Sequence, residues 1–396
     1  MNLTLLIDLD DTLLLHSSER FLPAYLNALS NHLSSVASPD LIQQNLLHAT
    51  YEAISNLDPE TTIKQTFDQN FYPQLGTTPE HLQDSILDFY NNEYLSLSPI
   101  SSPDPDVIDF MKNSIEKGYQ LAIATNPIFP RIATYQLLRW AGLPPEDFPY
   151  SLITTYEDFH FAKPHPAYYM EILAQMGWPE NQVVVIGNDF ENDILPGKDL
   201  GLATYWVTND YTKMSCALKH GAGKLKDFHA WLDIQTEDSI TPDLGGFNTS
   251  LETFRSTPAA LLTFLNLIPS DQWKRKPNPE SWSITEILCH LRDVDMEVHI
   301  PRFRMLRDIP SPFLTAVDAD TWAEERNYQQ QDGQQALSDF IEARKKLVDL
   351  ITDLPDTVVQ KDIRHTIFGP ITLDEIMRIA ARHDRLHIQQ IHTTIV

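Results

Sequence analysis

Leu3-Thr4-Leu5-Leu6-Ile7-Asp8-Leu9-Asp10-Asp11-Thr12 is a nearly unbroken apolar run that ends abruptly in three carboxylates. A run bounded by acids, rather than alternating with polar residues, is how a parallel strand buried on both faces reads when its C-terminal edge carries function. Carboxylates at i and i+2 beyond such a strand can both turn into one cavity, where a divalent cation would relieve their repulsion. Acidic turns after strands are common, so the other strand ends decide between a turn and a site.

Outward from this strand, residues 18–97 take helical spacing, with Phe21, Leu22, Tyr25, Leu26 and Leu29 three and four apart. After a turn-rich stretch at 98–105, helical segments over 106–117, 130–141 and near 167–176 alternate with apolar runs at 121–124, 152–154 and 183–186. Such alternation predicts an α/β fold with a doubly wound parallel sheet, the 18–98 helices being an insertion. In chain order the strand and loop ends bring Thr125-Asn126, Lys163-Pro164, and Asn188-Asp189 with Asp193. A hydroxyl and backbone N–H groups suit phosphate oxygens, a lysine neutralises developing charge, and a second acidic cluster completes a cation's ligand set.

Together these residues resemble the four motifs of the haloacid dehalogenase (HAD) superfamily: Ile7–Thr12, Ala124-Thr125-Asn126, Lys163-Pro164 and Gly187-Asn188-Asp189-Phe190-Glu191-Asn192-Asp193. The resemblance covers about residues 1–232. It implies a Mg²⁺-dependent phosphohydrolase acting on a small phosphomonoester, with Asp8 forming an aspartyl-phosphate and Asp10 serving as general acid and then base. Thr125, Asn126 and Lys163 would hold the phosphoryl group, and Asp8, the Asp10 carbonyl, Asp189 and Asp193 the ion. Many members carry Gly-Asp where this chain has Gly187-Asn188, so either Asn188 or Asp189 is the ligand there, and Asp189 is favoured. The 18–98 insertion is similar to the helical cap of one subgroup, which shields the site and selects the leaving group. Phe21, Tyr25 and Tyr72 are selectivity candidates there, although aromatics at helical spacing are usually core.

Beyond a polar, turn-rich linker at 236–246 the spacing is helical in four stretches, 251–267, 283–306, 333–350 and 373–391, which predicts an all-α four-helix bundle over 247–396. Ser283 with Glu286 three residues on reads as a helix start. His383 and His387 share one helix face, and His290 from a second helix would complete three nitrogens around one divalent metal with an open position. Such pairs are also common on solvated helices, and His299, His365 and His392 show that histidine is not scarce. The Trp282…His290 start and the Gly369–Leu373…His383–Gln390 ending resemble the DinB/YfiT-like four-helix bundles. Members typically hold a metal on three such histidines, here Zn²⁺ or Ni²⁺, and some are thiol-dependent transferases. An alternative therefore makes the bundle the working part, a thiol-linked metal-containing transferase or a sensor, with the HAD-like domain regulatory. The bundle is also a candidate surface for homodimerisation.

Composition narrows the partners. Residues 1–240 carry 32 acids against 12 Lys/Arg, and residues 241–396 carry 23 against 17. No basic stripe exists to hold a nucleic-acid backbone, and binding a small phosphorylated metabolite must rest on local groups acting against that field. The two cysteines, Cys216 and Cys289, are too far apart in sequence to suggest a zinc motif and read as incidental thiols. The first strand lacks a basic flank and is not a signal peptide, no stretch could span a bilayer, and the cytoplasm is the expected compartment.

Overall fold

A computed structural model of the chain describes residues 3–16, 18–179, 181–209 and 220–395; Cys216 lies outside them. The chain divides into two compact units, Met1–Ile172 with Pro179–Pro242, and Leu173–Trp178 with Asp243–Val396. Among the described residues no helix is long and apolar enough to cross a membrane.

The first unit begins with β1 (Leu3–Ile7) and a short strand β2 (Leu14–His16), then the helical insertion α1 (Ser18–His32), α2 (Pro39–Ser55), α3 (Ile63–Phe71) and α4 (Pro79–Asn91). The chain returns through β3 (Ser101–Pro103), which pairs antiparallel with β2, and α5 (Pro105–Glu116). It then alternates through β4 (Gln120–Ile123), α6 (Arg131–Trp140), β5 (Tyr150–Ile153), α7 (Ala167–Gln175), β6 (Gln182–Gly187), α8 (Leu195–Asp199), β7 (Ala203–Val207) and β8 (His220–Gly223), closing with α9 (Phe228–Leu232) and α10 (Glu237–Ile240). The main sheet has the order β5-β4-β1-β6-β7-β8 with every pairing parallel. All five residues of β1 are buried, as a strand covered by helices on both faces requires.

The expected doubly wound sheet is present, and β7 and β8 extend it beyond the four apolar runs visible in the sequence. β8 is His-Gly-Ala-Gly, a poor strand by propensity; a Cβ at Gly221 would lie 2.6 Å from Trp231, so close packing excludes larger residues there. In the 236–246 stretch expected to be linker, Thr236 caps α10, and Ile240 is buried in the core of the first unit.

The second unit is built on four long helical stretches. They are α11 (Phe247–Asn266); α12 (Ile284–Val294) continued through a π turn into α13 (Ile300–Asp308); α15 (Gly333–Thr352), which follows the short α14 (Trp322–Glu325); and α16 (Leu373–Ile395). Ser283 and Glu286 form the expected capping box, each side chain bonding the other's backbone N–H. A small three-stranded sheet, unsignalled in the sequence, joins β9 (Phe313–Leu314), β10 (Ile363–His365) and β11 (Gly369–Ile371). Strands of two or three residues are too short for alternation to show.

Candidate functional site

Register gathers the site in the first unit. Ile7 pairs with Ile123 on one side and Ile186 on the other, so Asp8, Thr125 and Asn188 leave the sheet at one edge, where crossovers from β1 diverge. The Asp8 N–H bonds the Ile186 carbonyl at 2.9 Å, and the Ala124 N–H bonds the Ile7 carbonyl at 2.7 Å, which fixes both exits.

Lys163 is the centre of the cluster. Its Nζ lies 2.6 Å from Asp8 Oδ1 and 2.6 Å from Asp193 Oδ1, and all three side chains are buried. Its backbone N–H donates to Asn126 Oδ1 at 3.1 Å, and the Tyr169 hydroxyl donates to Asp193 at 3.1 Å. Asp193 packs so tightly on Gly187 that a Cβ there would meet its carboxylate at 2.1 Å; this glycine is a steric requirement. The Thr12 hydroxyl stands 2.9 Å from Asp8 Oδ2 and 3.1 Å from Asn188 Oδ1, joining the two strand ends. Thr125 Oγ1 donates to Asp10 at 3.4 Å, while its carbonyl accepts from Thr154 at 2.6 Å and Tyr168 at 2.7 Å.

Charge in this pocket is unbalanced. Burial, opposed by Lys163 and reinforced by Asp193 and Asp10, pushes the Asp8 carboxyl up to about 7. Burial pulls Lys163 down, but Asp193 and Asp8 outweigh it and hold the ammonium well above its usual range. Asp10, more open, has His16 Nε2 at 3.1 Å. That imidazole stacks on Phe21 with ring centres 4.6 Å apart and contacts Ser101 Oγ at 3.3 Å. Burial lowers His16, and the bond to Asp10 with the surrounding acids raises it net.

The sequence-expected residues Asp8, Asp10, Thr125, Asn126, Lys163, Asn188 and Asp193 are therefore brought together. Asp189 is turned elsewhere: its Oδ1 caps the following π turn, accepting from the N–H groups of Glu191 and Asn192, and its Oδ2 accepts from the Asn192 amide at 2.7 Å.

In the second unit His290, His383 and His387 converge. The Nε2 of His383 lies 2.8 Å from that of His290 and 3.1 Å from that of His387, near the separation of about 3.3 Å expected for three imidazoles on one tetrahedral ion. Facing lone pairs repel unless a positive charge lies between them, and one ring hydrogen cannot serve both contacts. His387 Nδ1 bonds Gln390 Oε1 at 2.8 Å, leaving the Nε2 lone pair free, which is how a metal-ligating imidazole is oriented. Burial pushes His290 down to about 3, with His387 adding to it, and lowers His383 and His387 as well, so neutral rings are favoured. Beside them Arg344, 1% exposed, pairs with Asp295 at 2.7 Å and with Asp384, and Asp295 also holds His299 at 3.0 Å.

Residues 3–201 match the model of the haloacid dehalogenase-like hydrolases. The chain belongs to that family. Residues 253–391 match the model of the DinB superfamily, so this HAD-like hydrolase carries a DinB-like helical region. Among curated proteins it is 25% identical over 217 residues to pyrophosphatase PpaX of Bacillus pumilus, spanning 55% of this chain and 88% of that one. It is 26% identical over 202 residues to the glyceraldehyde 3-phosphate phosphatase of Methanocaldococcus jannaschii, spanning 50% and 82%. Among solved structures, a HAD phosphatase from Thermococcus onnurineus aligns at 17% identity and TM-score 0.39, over 59% of this chain and 98% of that one. The four-helix bundle YfiT from Bacillus subtilis aligns at 20% identity and TM-score 0.34, over 41% and 90%.

Sequence reasoning gave no role to Thr12, His16, Tyr168, Tyr169 or Arg344. Thr12 was within the quoted motif, and the tyrosines four and five residues past Pro164 could have been suspected once Lys163 was placed. His16 carries no local signal, and Arg344 is marked only by its place on the apolar stripe of its helix. Phe21, Tyr25 and Tyr72 all belong to the core of the first unit, and Tyr25 and Tyr72 also line an apolar cavity of 280 Å³ formed by the helical insertion, the loop after Asn126 and Tyr156.

Proposed function

We propose that this hydrolase cleaves small phosphomonoesters through an aspartyl-phosphate on Asp8, with Mg²⁺ as its ion. The observation that carries this is the buried Asp8–Lys163–Asp193 cluster at the sheet edge. Its ligand atoms are all oxygens, and burial, opposed by Lys163 and reinforced by Asp193 and Asp10, pushes Asp8 upward, so it fits a hard cation. Asp8, the Asp10 carbonyl and Asn188 Oδ1 would hold the ion. Asn188 is favoured over Asp189 because Thr12 ties it to Asp8, while both oxygens of Asp189 are occupied in the turn. Asp193 accepts from Lys163, Tyr169 and the Asp189 N–H, and so positions the lysine.

In the first step an Asp8 oxygen attacks phosphorus as the bond to the leaving oxygen breaks, and Asp10 gives that oxygen a proton. Asp10 then takes a proton from the water that attacks the phosphoaspartate, which releases phosphate and restores Asp8. Thr125 and Lys163 steady the phosphoryl oxygens where charge accumulates. Mg²⁺ when bound supplies charge neutralisation between Asp8 and the phosphoryl group. The relative named as a glyceraldehyde 3-phosphate phosphatase supports this substrate class, and the one named as a pyrophosphatase supports hydrolytic phosphoryl transfer more generally.

A phosphomonoester panel assayed with and without Mg²⁺ tests it: ion-dependent phosphate release is expected, and none from any member would refute the proposal. Asn188→Ala is expected to raise the Mg²⁺ concentration for half-maximal activity about tenfold or more. Asp189→Ala should instead cost about 0.5–2 kcal/mol of stability as a lost cap, leaving the Mg²⁺ titration in place. The reverse pattern would make Asp189 the ligand.

The convergence of His290, His383 and His387 favours a second reading for the bundle, a centre for Zn²⁺ or Ni²⁺ with an open position. His383→Ala is expected to abolish stoichiometric metal in elemental analysis of the purified chain; undiminished metal would remove the site.

A further inference from the structure

Beside the three imidazoles the second unit holds a cavity of 220 Å³ lined by His290 and His383. Its walls are mostly apolar, including Val294, Val298, Phe303, Leu314, Ile376 and Ala380. Ile376, Ile379, Ala380 and His383 line it in order along α16, so it extends over roughly 10 Å of that helix at 1.5 Å per residue. Five further polar groups line it, His299, Arg302, Asp318, Asp320 and His365, and two of them can donate to an anion, Arg302 and His365.

Arg302 is a half-buried cation without a carboxylate partner among the described residues; its one hydrogen bond there is to the Thr315 carbonyl at 2.8 Å. Burial lowers it, and Asp318 and Asp320, which line the same cavity, form no ion pair with it. In a chain of net charge −26 a half-buried guanidinium left without an ion pair at a mostly apolar cavity is unusual, because acids could have satisfied it. His365 is buried, and burial and then the Arg302 charge lower it, which keeps the ring neutral. Its Nδ1 accepts from the Ile367 N–H at 3.2 Å, so the ring hydrogen sits on Nε2 and is available to donate. Both residues are fixed against one strand: His365 pairs with Leu314, and Arg302 bonds the next carbonyl.

We propose that this cavity binds a small organic monocarboxylate, its carboxylate held by Arg302 and the His365 Nε2–H, its apolar body along α16 and its far end toward the three imidazoles. A planar, singly charged carboxylate matches one guanidinium fork and one imidazole donor. A dianionic phosphate does not, since Asp318 and Asp320 also line the cavity and would oppose the second charge. The inference stands independently of the Asp8 site.

Titration calorimetry of the full-length protein with octanoate and with octanamide tests it. Octanoate is expected to bind saturably and about tenfold or more tighter than the amide, a charged hydrogen bond being stronger than a neutral one. Arg302→Met should reduce octanoate affinity about 10- to 100-fold while octanamide affinity and metal content stay as in wild type, and Arg302→Lys should restore part of the loss. Equal affinity for acid and amide in the wild type, no saturable octanoate binding, or octanoate affinity unchanged in Arg302→Met would overturn the proposal.

Discussion

Asn in place of Asp8 is expected to lower phosphomonoester turnover by about 10⁴-fold or more, the scale seen when a covalent nucleophile is removed. The substitution keeps the side chain's size and its contacts with Thr12, but the amide cannot attack phosphorus. It also relieves an acid that burial already pushes up to about 7, so the folded state should be no less stable. Steady-state turnover beside a thermal unfolding curve separates the two effects. Loss of activity with an unshifted or raised midpoint is the expected pair, whereas retained turnover would mean that another group attacks.

Arg344→Met is expected to destabilise the protein by about 3–5 kcal/mol, the cost of leaving buried charges without a partner. Arg344 is 1% exposed and bonds both Asp295 and Asp384, themselves fully buried, and Thr257 adds a bond to Asp384 at 2.9 Å. Methionine fills much of the volume and lies comfortably against Phe254 and Phe340, which flank the guanidinium, so the loss is electrostatic rather than a cavity. Adding Asp295→Asn and Asp384→Asn should recover part of it. Urea denaturation of the three chains measures both terms, and a single variant as stable as wild type would show that the network contributes little. Because Asp384 adjoins His383, the network also braces the imidazole cluster.

The fold was legible where burial dictates composition. A strand covered on both faces must be apolar, and its end is where polar groups can gather, so β1, β4 and β6 announced both themselves and the site. β8 was hidden because His-Gly-Ala-Gly is selected by the closeness of Trp231 and Tyr205 rather than by strand propensity. Asn188 and Asp189 could not be ranked from spacing alone. Which of two neighbours faces Asp8 depends on how the chain turns after Gly187, and the π turn draws Asp189 into capping. Arg344 was hidden for a related reason. In the run Glu342-Ala343-Arg344-Lys345-Lys346 it reads as part of a solvated face, yet it shares a helix stripe with Leu337, Phe340 and Leu347, all buried. The three histidines were visible because i, i+4 spacing fixes two of them on one face, whereas the anchor that braces them comes from a different helix.

Covalent participation of Asp8 is most directly measured by acid-quenching the enzyme during turnover, reducing it with borohydride and mapping the modified peptide by mass spectrometry. The expected result is one modified aspartate, at position 8, formed only with substrate present. Turnover with no modification, or modification at a different residue, would contradict the account.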